Sequence, residues 1–344
     1  MSGVQHLTVA EDEAEQRLDR WLKRQFPYLA QGRIEKLCRK GEVRVDGARV
    51  KGASRVAPGQ VVRVPPLPEA APPAAPAPPE PRGPDEAEAE AIRAAVLFCD
   101  PHMLVLNKPA GLAVQGGSGQ LHHLGHLLPA LRFEREDVPR LVHRLDKDTS
   151  GLLVLARTGA AAVALAHAFR SRAVEKIYFA LVAGRPQPKA GTIRFGLVKG
   201  GSEGGEKMQI LHPEQVRETG GARHATTDFR VIEQVAGRCA WVALRPVTGR
   251  THQLRAHMAA LGTPIAGDGK YGGRGQENRG EGWGAGLGAG ISRRLHLHAA
   301  WLALPHPVTG RTVRYAAPLP EHMAESWAFL GLDPTAVPDP LFPD

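Results

Sequence analysis

The chain has 344 residues, 42% of them hydrophobic, enough to bury a sizeable core and to suggest two or three domains. No apolar run approaches the roughly 20 residues a membrane-spanning helix needs, and the acidic opening MSGVQHLTVAEDEAEQ lacks the apolar stretch of a signal peptide, so a cytoplasmic protein is expected, without membrane contact. A net charge of +9 favours a polyanionic partner, and three cysteines without a CxxC pair indicate neither a zinc knuckle nor a disulfide framework.

Along residues 16–29, Leu18, Trp21, Leu22 and Phe26 follow helical spacing while Arg17, Arg20, Lys23 and Arg24 take the remaining surface. A second helix over 32–40 puts Ile34, Leu37 and Cys38 inward and Arg33, Lys36, Arg39 and Lys40 outward, with Gly41 as its stop. EVRVDGARV then predicts a hairpin around a DG turn, and VAPGQVVRV one more strand. Residues 1–64 hold 13 Lys and Arg against 8 Asp and Glu, so this is a small basic α+β domain, bounded at 15–64.

Residues 65–91 reverse the charge, 1 basic against 6 acidic, and carry ten prolines, a composition that prevents a packed core and predicts an extended linker. The larger domain is expected over 92–320, followed by a tail, 321–344, that holds no motif. VLFCDPHMLVLNKPAGLAVQGG predicts two strands around a DP turn, and Lys108 in KPAG is a candidate contact for an anionic ligand. A helix over 160–170 and strands over 175–184, 223–234, 240–245 and 297–304 give many strands with few helices, hence an α+β sheet protein. Residues 272–290 are glycine-rich and read as a loop without phosphate-loop spacing.

The most informative segment is 141–156, LVHRLDKDTSGLLVLA, where charged residues interrupt two buried strand-like runs and a DTSG turn closes the loop. A carboxylate there is rigidly aimed, which makes Asp146 the candidate for chemistry. Residues 245–258, RPVTGRTHQLRAHM, are a second polar constellation, whose arginines are natural counter-charges for it.

Together these segments resemble the pseudouridine synthases that modify uridines of large-subunit ribosomal RNA and some transfer RNA. The two basic helices with their hairpin resemble the alpha-L RNA-binding module, whose basic face grips phosphates without reading bases. The resemblance implies a mixed or antiparallel central sheet and the isomerisation of uridine to pseudouridine, with no cofactor and no metal. It carries Asp146 of HRLD as the catalytic carboxylate, with His143, Arg144 and Leu145 matching the motif around it. It pairs Asp146 with Arg255, Arg250 being the alternative, and sets Tyr178 under the target base, its hydroxyl also a candidate in C5 deprotonation. Arg144 is implied to fill the space of a flipped-out nucleotide. The partner is expected to be large-subunit ribosomal RNA, with transfer RNA as the alternative, and the protein a monomer.

Rival readings start from the same residues. Asp146 and Asp148 form a DxD pattern of the kind that binds metal; His122, His123 and His126, with His296 and His298, are further metal candidates; Ser150 and His143 invite a hydrolase reading without a nucleophile elbow. A non-catalytic RNA clamp is the alternative from another class, and the intact set of Asp146, Tyr178 and Arg255 speaks against it.

Overall fold

The computed structural model describes residues 3–13, 16–67, 83–116, 122–200, 207–235, 237–272 and 290–342. The centre of the proline-rich stretch and residues 273–289 of the glycine-rich segment, expected to be a linker and a loop, lie outside them. The chain forms two compact units, residues 1–81 and 82–344.

In the first unit, strands β1 (Gln5–Thr8), β4 (Val61–Val64), β2 (Arg44–Val45) and β3 (Ala48–Arg49) make an antiparallel sheet in that order. Helices α1 (Leu18–Gln25) and α2 (Gln31–Lys40) bury Leu18, Trp21, Leu22, Ile34, Leu37 and Cys38 against it, as their spacing predicts. Gly41, at φ 71°, ends α2 by donating its N–H to Cys38 O. Asp46 and Gly47 both take positive φ, the geometry a two-residue hairpin requires of its turn. Arg33, Lys36, Arg39 and Lys40 are all exposed.

The second unit opens with α3 (Glu86–Ala94), which corrects the reading of residues 86–91 as linker. Asp85 accepts from Glu88 N while the Glu88 carboxylate accepts from Asp85 N, a capping box that starts a helix in an acidic, alanine-rich stretch. Strands β5 (Val96–Cys99), β6 (Met103–Lys108), β7 (Arg140–Leu141), β8 (Ser150–Ala156), β9 (Glu175–Ala183), β10 (Ala190–Lys199), β11 (Met208–Leu211), β12 (Arg223–Val235), β13 (Cys239–Pro246), β14 (Leu297–Pro305) and β15 (Thr312–Ala316) form one mixed sheet. Its order is β11-β10-β12-β13-β9-β14-β8-β6-β5, with β7 on β8 and β15 on β14. Pairing is antiparallel except between β14 and β8. The protein is therefore α+β.

Every residue of β8 is buried, as its unbroken apolar run requires of a strand covered on both faces. Strands β9 and β13 alternate instead. Ile177, Phe179, Leu181, Trp241 and Ala243 face one core, and Ala180, Val182, Val242 and Leu244 face another. The first core is closed by α7 (Glu321–Leu330) through Met323 and Trp327, and by Leu332 and Leu341 beyond it. Residues 321–344, set apart from sequence as a tail, thus supply side chains to the core. The second core is closed by α6 (Gln253–Ala260) through Leu254 and Met258. The described residues also form helices α4 (Leu124–Leu127) and α5 (Gly159–Arg170), the latter capped by Thr158.

Candidate active site

One row across the sheet sets the site. Leu244 of β13 pairs with Tyr178 of β9, Tyr178 with Ala299 of β14, and Ala299 with Gly151 of β8. The loop carrying Asp146 ends at β8, and the GRTHQ loop begins where β13 stops, so both leave the sheet near this row. Tyr178 shares its face with Ala180 and Val182, the face α6 covers, which brings it to the side that carries Arg255. Gly151 sits at φ 107°, and a Cβ there would lie 2.3 Å from Ala299 O. The glycine of DTSG is required by this close backbone approach.

The Asp146 loop is held from below. Lys108 is fully buried, and its Nζ donates to Pro109 O, Leu112 O and Lys147 O at 2.8, 2.9 and 3.1 Å. Gly111 N reaches the same Lys147 carbonyl at 2.9 Å. Burial pushes Lys108 down to about 7, against the nearby charges of Asp148 and Asp146. Lys108 is therefore corrected from ligand contact to anchor, because the three carbonyls engage its ammonium inside the protein. His143 is a second anchor: its Nε2 accepts from Val154 N at 2.8 Å, and its ring stacks on Phe169 with centroids 4.1 Å apart. Burial, reinforced by Lys176, lowers His143 to about 3 and keeps it neutral. Leu145 is 5% exposed and belongs to the core beneath the loop.

Above the loop lies a cleft of about 760 Å³ whose lining includes Asp146, Arg144, Tyr178, Arg250 and Arg255. Arg170, Arg172, Lys176 and Arg245 add positive charge, against the carboxylates of Asp146 and Glu175. Among the described residues, no hydrogen bond or ion pair engages the Asp146 carboxylate. Both predicted partners are corrected. Arg255 forks onto Asp268, Nε to Oδ2 and Nη2 to Oδ1, each at 2.7 Å. Arg250 donates Nε to His224 O at 3.3 Å. Asp268 outcompetes Asp146 because it is buried and already oriented by the N–H groups of Lys270 and Tyr271, so the guanidinium meets a preset acceptor. Arg255 remains within electrostatic reach of Asp146, whose charge helps to raise it. Burial, then the Asp146 charge, raises Tyr178 far above the ordinary phenol range.

Gln253 was not singled out from sequence. Its Oε1 accepts from Thr248 Oγ1 and Arg250 N, and its Nε2 donates to Thr226 O and Thr227 Oγ1. This clamp shapes the GRTHQ loop, in which His252 takes a positive φ of 51°. No local signal marks it, because the amide is buried only once the loops on either side of it come together.

The rival clusters have separate fates. Asp148 lines a different, smaller cavity from Asp146, so the DxD spacing does not put two carboxylates in one site. His122 and His126 approach Glu88, and His123 accepts from His126 N at the start of α4. Ser150 meets His298 Nδ1 at 2.9 Å, not His143, and His296 Nε2 meets Ser326 Oγ at 2.8 Å. The Ser150–His298 and His296–Ser326 contacts are buried and structural. Among the described residues, no three His, Cys, Asp or Glu converge as metal ligands, and no helix is long and apolar enough to cross a membrane.

Residues 102–260 match the family model described as RNA pseudouridylate synthase, and residues 16–62 match the S4 domain. This chain belongs to the RNA pseudouridine synthase family, isomerases that act on RNA, and its first unit carries an S4 domain. Among its relatives is the protein of Salmonella typhimurium named ribosomal large subunit pseudouridine synthase C, 38% identical over 92% of this chain and 93% of that one. The protein of the same name in Vibrio cholerae is 37% identical over 94% and 96%. Among solved structures, human RNA pseudouridylate synthase domain containing 4 matches with a TM-score of 0.58 and 29% identity, covering 72% of this chain and 97% of its own.

Proposed function

We propose that this protein converts specific uridines of large-subunit ribosomal RNA to pseudouridine in the cytoplasm, with Asp146 as the catalytic carboxylate. The observation that carries the reading is the half-buried Asp146 carboxylate, unengaged by the described residues, in a cleft where cationic side chains predominate. The same observation supports its use on RNA, since the cations attract the phosphate backbone while one acceptor stays available for chemistry.

In this reading the uridine is flipped into the cleft, and Arg144, exposed and without a described partner, takes its place in the stack. Asp146 attacks C1′ or stabilises its positive charge as the C1′–N1 bond breaks. The uracil turns, C5 bonds to C1′, and the C5 proton leaves as N1 gains one, so composition is unchanged. Tyr178, held protonated by its surroundings, serves as a platform under the base and not as the proton acceptor. The carboxylate of Asp146, free again at that stage, takes the C5 proton. Arg255 holds a fixed positive charge near Asp146, within reach of the negative charge that the reaction moves there and away again. The S4 domain, through Arg33, Lys36, Arg39 and Lys40, grips phosphates. The names of the relatives support large-subunit ribosomal RNA as the substrate.

The test is pseudouridine mapping of large-subunit ribosomal RNA from cells lacking the gene, with add-back of wild type and of Asp146→Asn. Discrete sites should vanish and return with wild type alone. An unchanged map, or restoration by Asp146→Asn, would overturn the reading.

A further inference from the structure

A second cavity, of about 290 Å³, also borders the loop that carries Asp146, lined among others by Asp148, Arg255, Lys270, Arg293 and Arg294. Arg255 lines both cavities, so one residue borders each of them. Asp146 faces the first and Asp148 the second. Two residues of backbone span at most about 7 Å, comparable with one nucleotide step along a single strand.

The chemistry of the second cavity is specific. Arg293 is exposed and makes no ion pair among the described residues. Arg294 donates one Nη2 bond to Ala110 O at 3.4 Å, which leaves most of its five N–H donors for a ligand. Against these cations, Asp148 is the one carboxylate lining the cavity among the described residues, and it too is exposed without a described partner. A phosphate alone would be better served without that carboxylate. A phosphate beside a hydroxyl donor uses both, and a ribonucleotide presents that pair.

The walls are preset. Gly267, at φ 74°, lets the chain at Arg293 and Arg294 pack directly upon it, since a Cβ there would lie 2.0 Å from Arg294 O. His296 Nδ1 meets the same carbonyl at 2.8 Å. On the facing side, Lys108 and Gly111 hold the carbonyl of Lys147, next to Asp148. A site fixed on both sides loses little entropy on binding.

We infer that this second cavity takes the nucleotide adjoining the flipped uridine, its phosphate on Arg293 and Arg294 and its ribose 2′-hydroxyl on Asp148. The inference rests on the proposed function and adds a site at which RNA is told from DNA.

The test uses the full-length protein and RNA fragments containing a mapped uridine, each with a single 2′-deoxy substitution at one flanking position. For wild type, kcat/KM should fall about tenfold at one flanking position, the loss of one hydrogen bond to a charged acceptor. Asp148→Ala should lose that penalty, and Asp148→Asn, whose uncharged amide oxygen still accepts, should keep a smaller one. Replacing Arg293 and Arg294 together by Ala should raise KM about tenfold and lessen the log–log salt slope of binding by about two. Arg311→Ala, at the exposed β14–β15 turn, should change none of these. An unaltered deoxy penalty in Asp148→Ala, or an unaltered KM and salt slope in the double variant, would overturn the inference while wild-type turnover left the proposed function standing. Absence of pseudouridine with wild type on every RNA would overturn both.

Discussion

Arg255 and Asp268 are joined by two bonds of 2.7 Å, with both side chains almost wholly buried and the Tyr271 ring 5.4 Å from the guanidinium carbon. The arginine expected from the sequence to pair with Asp146 is thereby held by a different acid. Its position, and so its field at Asp146, is set by Asp268 and not by Asp146 itself.

Arg255→Ala leaves Asp268 as an unpaired buried charge. We expect a loss of about 3–5 kcal/mol of stability, measured by urea unfolding, together with a fall in turnover. An unchanged unfolding midpoint would exclude a structural pair.

Gly151→Ala places a methyl group against the Ala299 backbone at a φ of 107° that alanine resists. Neither strand yields cheaply, since both belong to the central sheet. The expected cost is at least about 3 kcal/mol, read as a lower Tm in thermal unfolding.

His257 is fully buried on α6, with neither ring nitrogen hydrogen-bonded among the described residues, and burial lowers it to about 4. A base depressed in the folded state stabilises the fold fully above its unfolded value near 6.5, and that contribution is lost as pH falls through 6.5 towards 4. His257→Leu should be near neutral at pH 7. It should exceed wild type by about 2 kcal/mol at pH 5, where the unfolded wild type gains a proton the folded state resists. Parallel stability curves for the two proteins across this range would refute the assignment.

Arg33, Lys36 and Arg39 are exposed on one short helix. Replacing all three by Ala should weaken RNA binding uniformly across sequences and lessen the log–log salt slope by about three. A slope equal to that of wild type would remove the helix from the phosphate contacts.

Much of this was legible in the chain. The Asp146 loop stood out because charged residues interrupt apolar runs, and α1 and α2 because Trp21, Leu22, Ile34 and Leu37 keep helical spacing. The pairing of Arg255 was not legible, since Asp268 lies 13 residues on and meets it only when α6 packs on β9 and β13. Lys108 read as a surface cation because nothing local reveals three carbonyls converging on its ammonium. Helix α6 itself was masked by its polar residues, Gln253, Arg255 and His257, which are buried by contacts made elsewhere in the fold. Strands β10 and β11 passed unnoticed because RFG and QIL give too short an alternation to register alone.

The parallel pairing of His298 and Ala299 with Ser150 and Gly151 joins segments almost 150 residues apart. During synthesis, the strand that seats the Asp146 loop emerges only when most of the chain has been made. The S4 domain has its own core and is complete by residue 67, so it folds first as a unit. A nascent chain thus presents a folded S4 domain well before the strand pairing that seats the Asp146 loop can form.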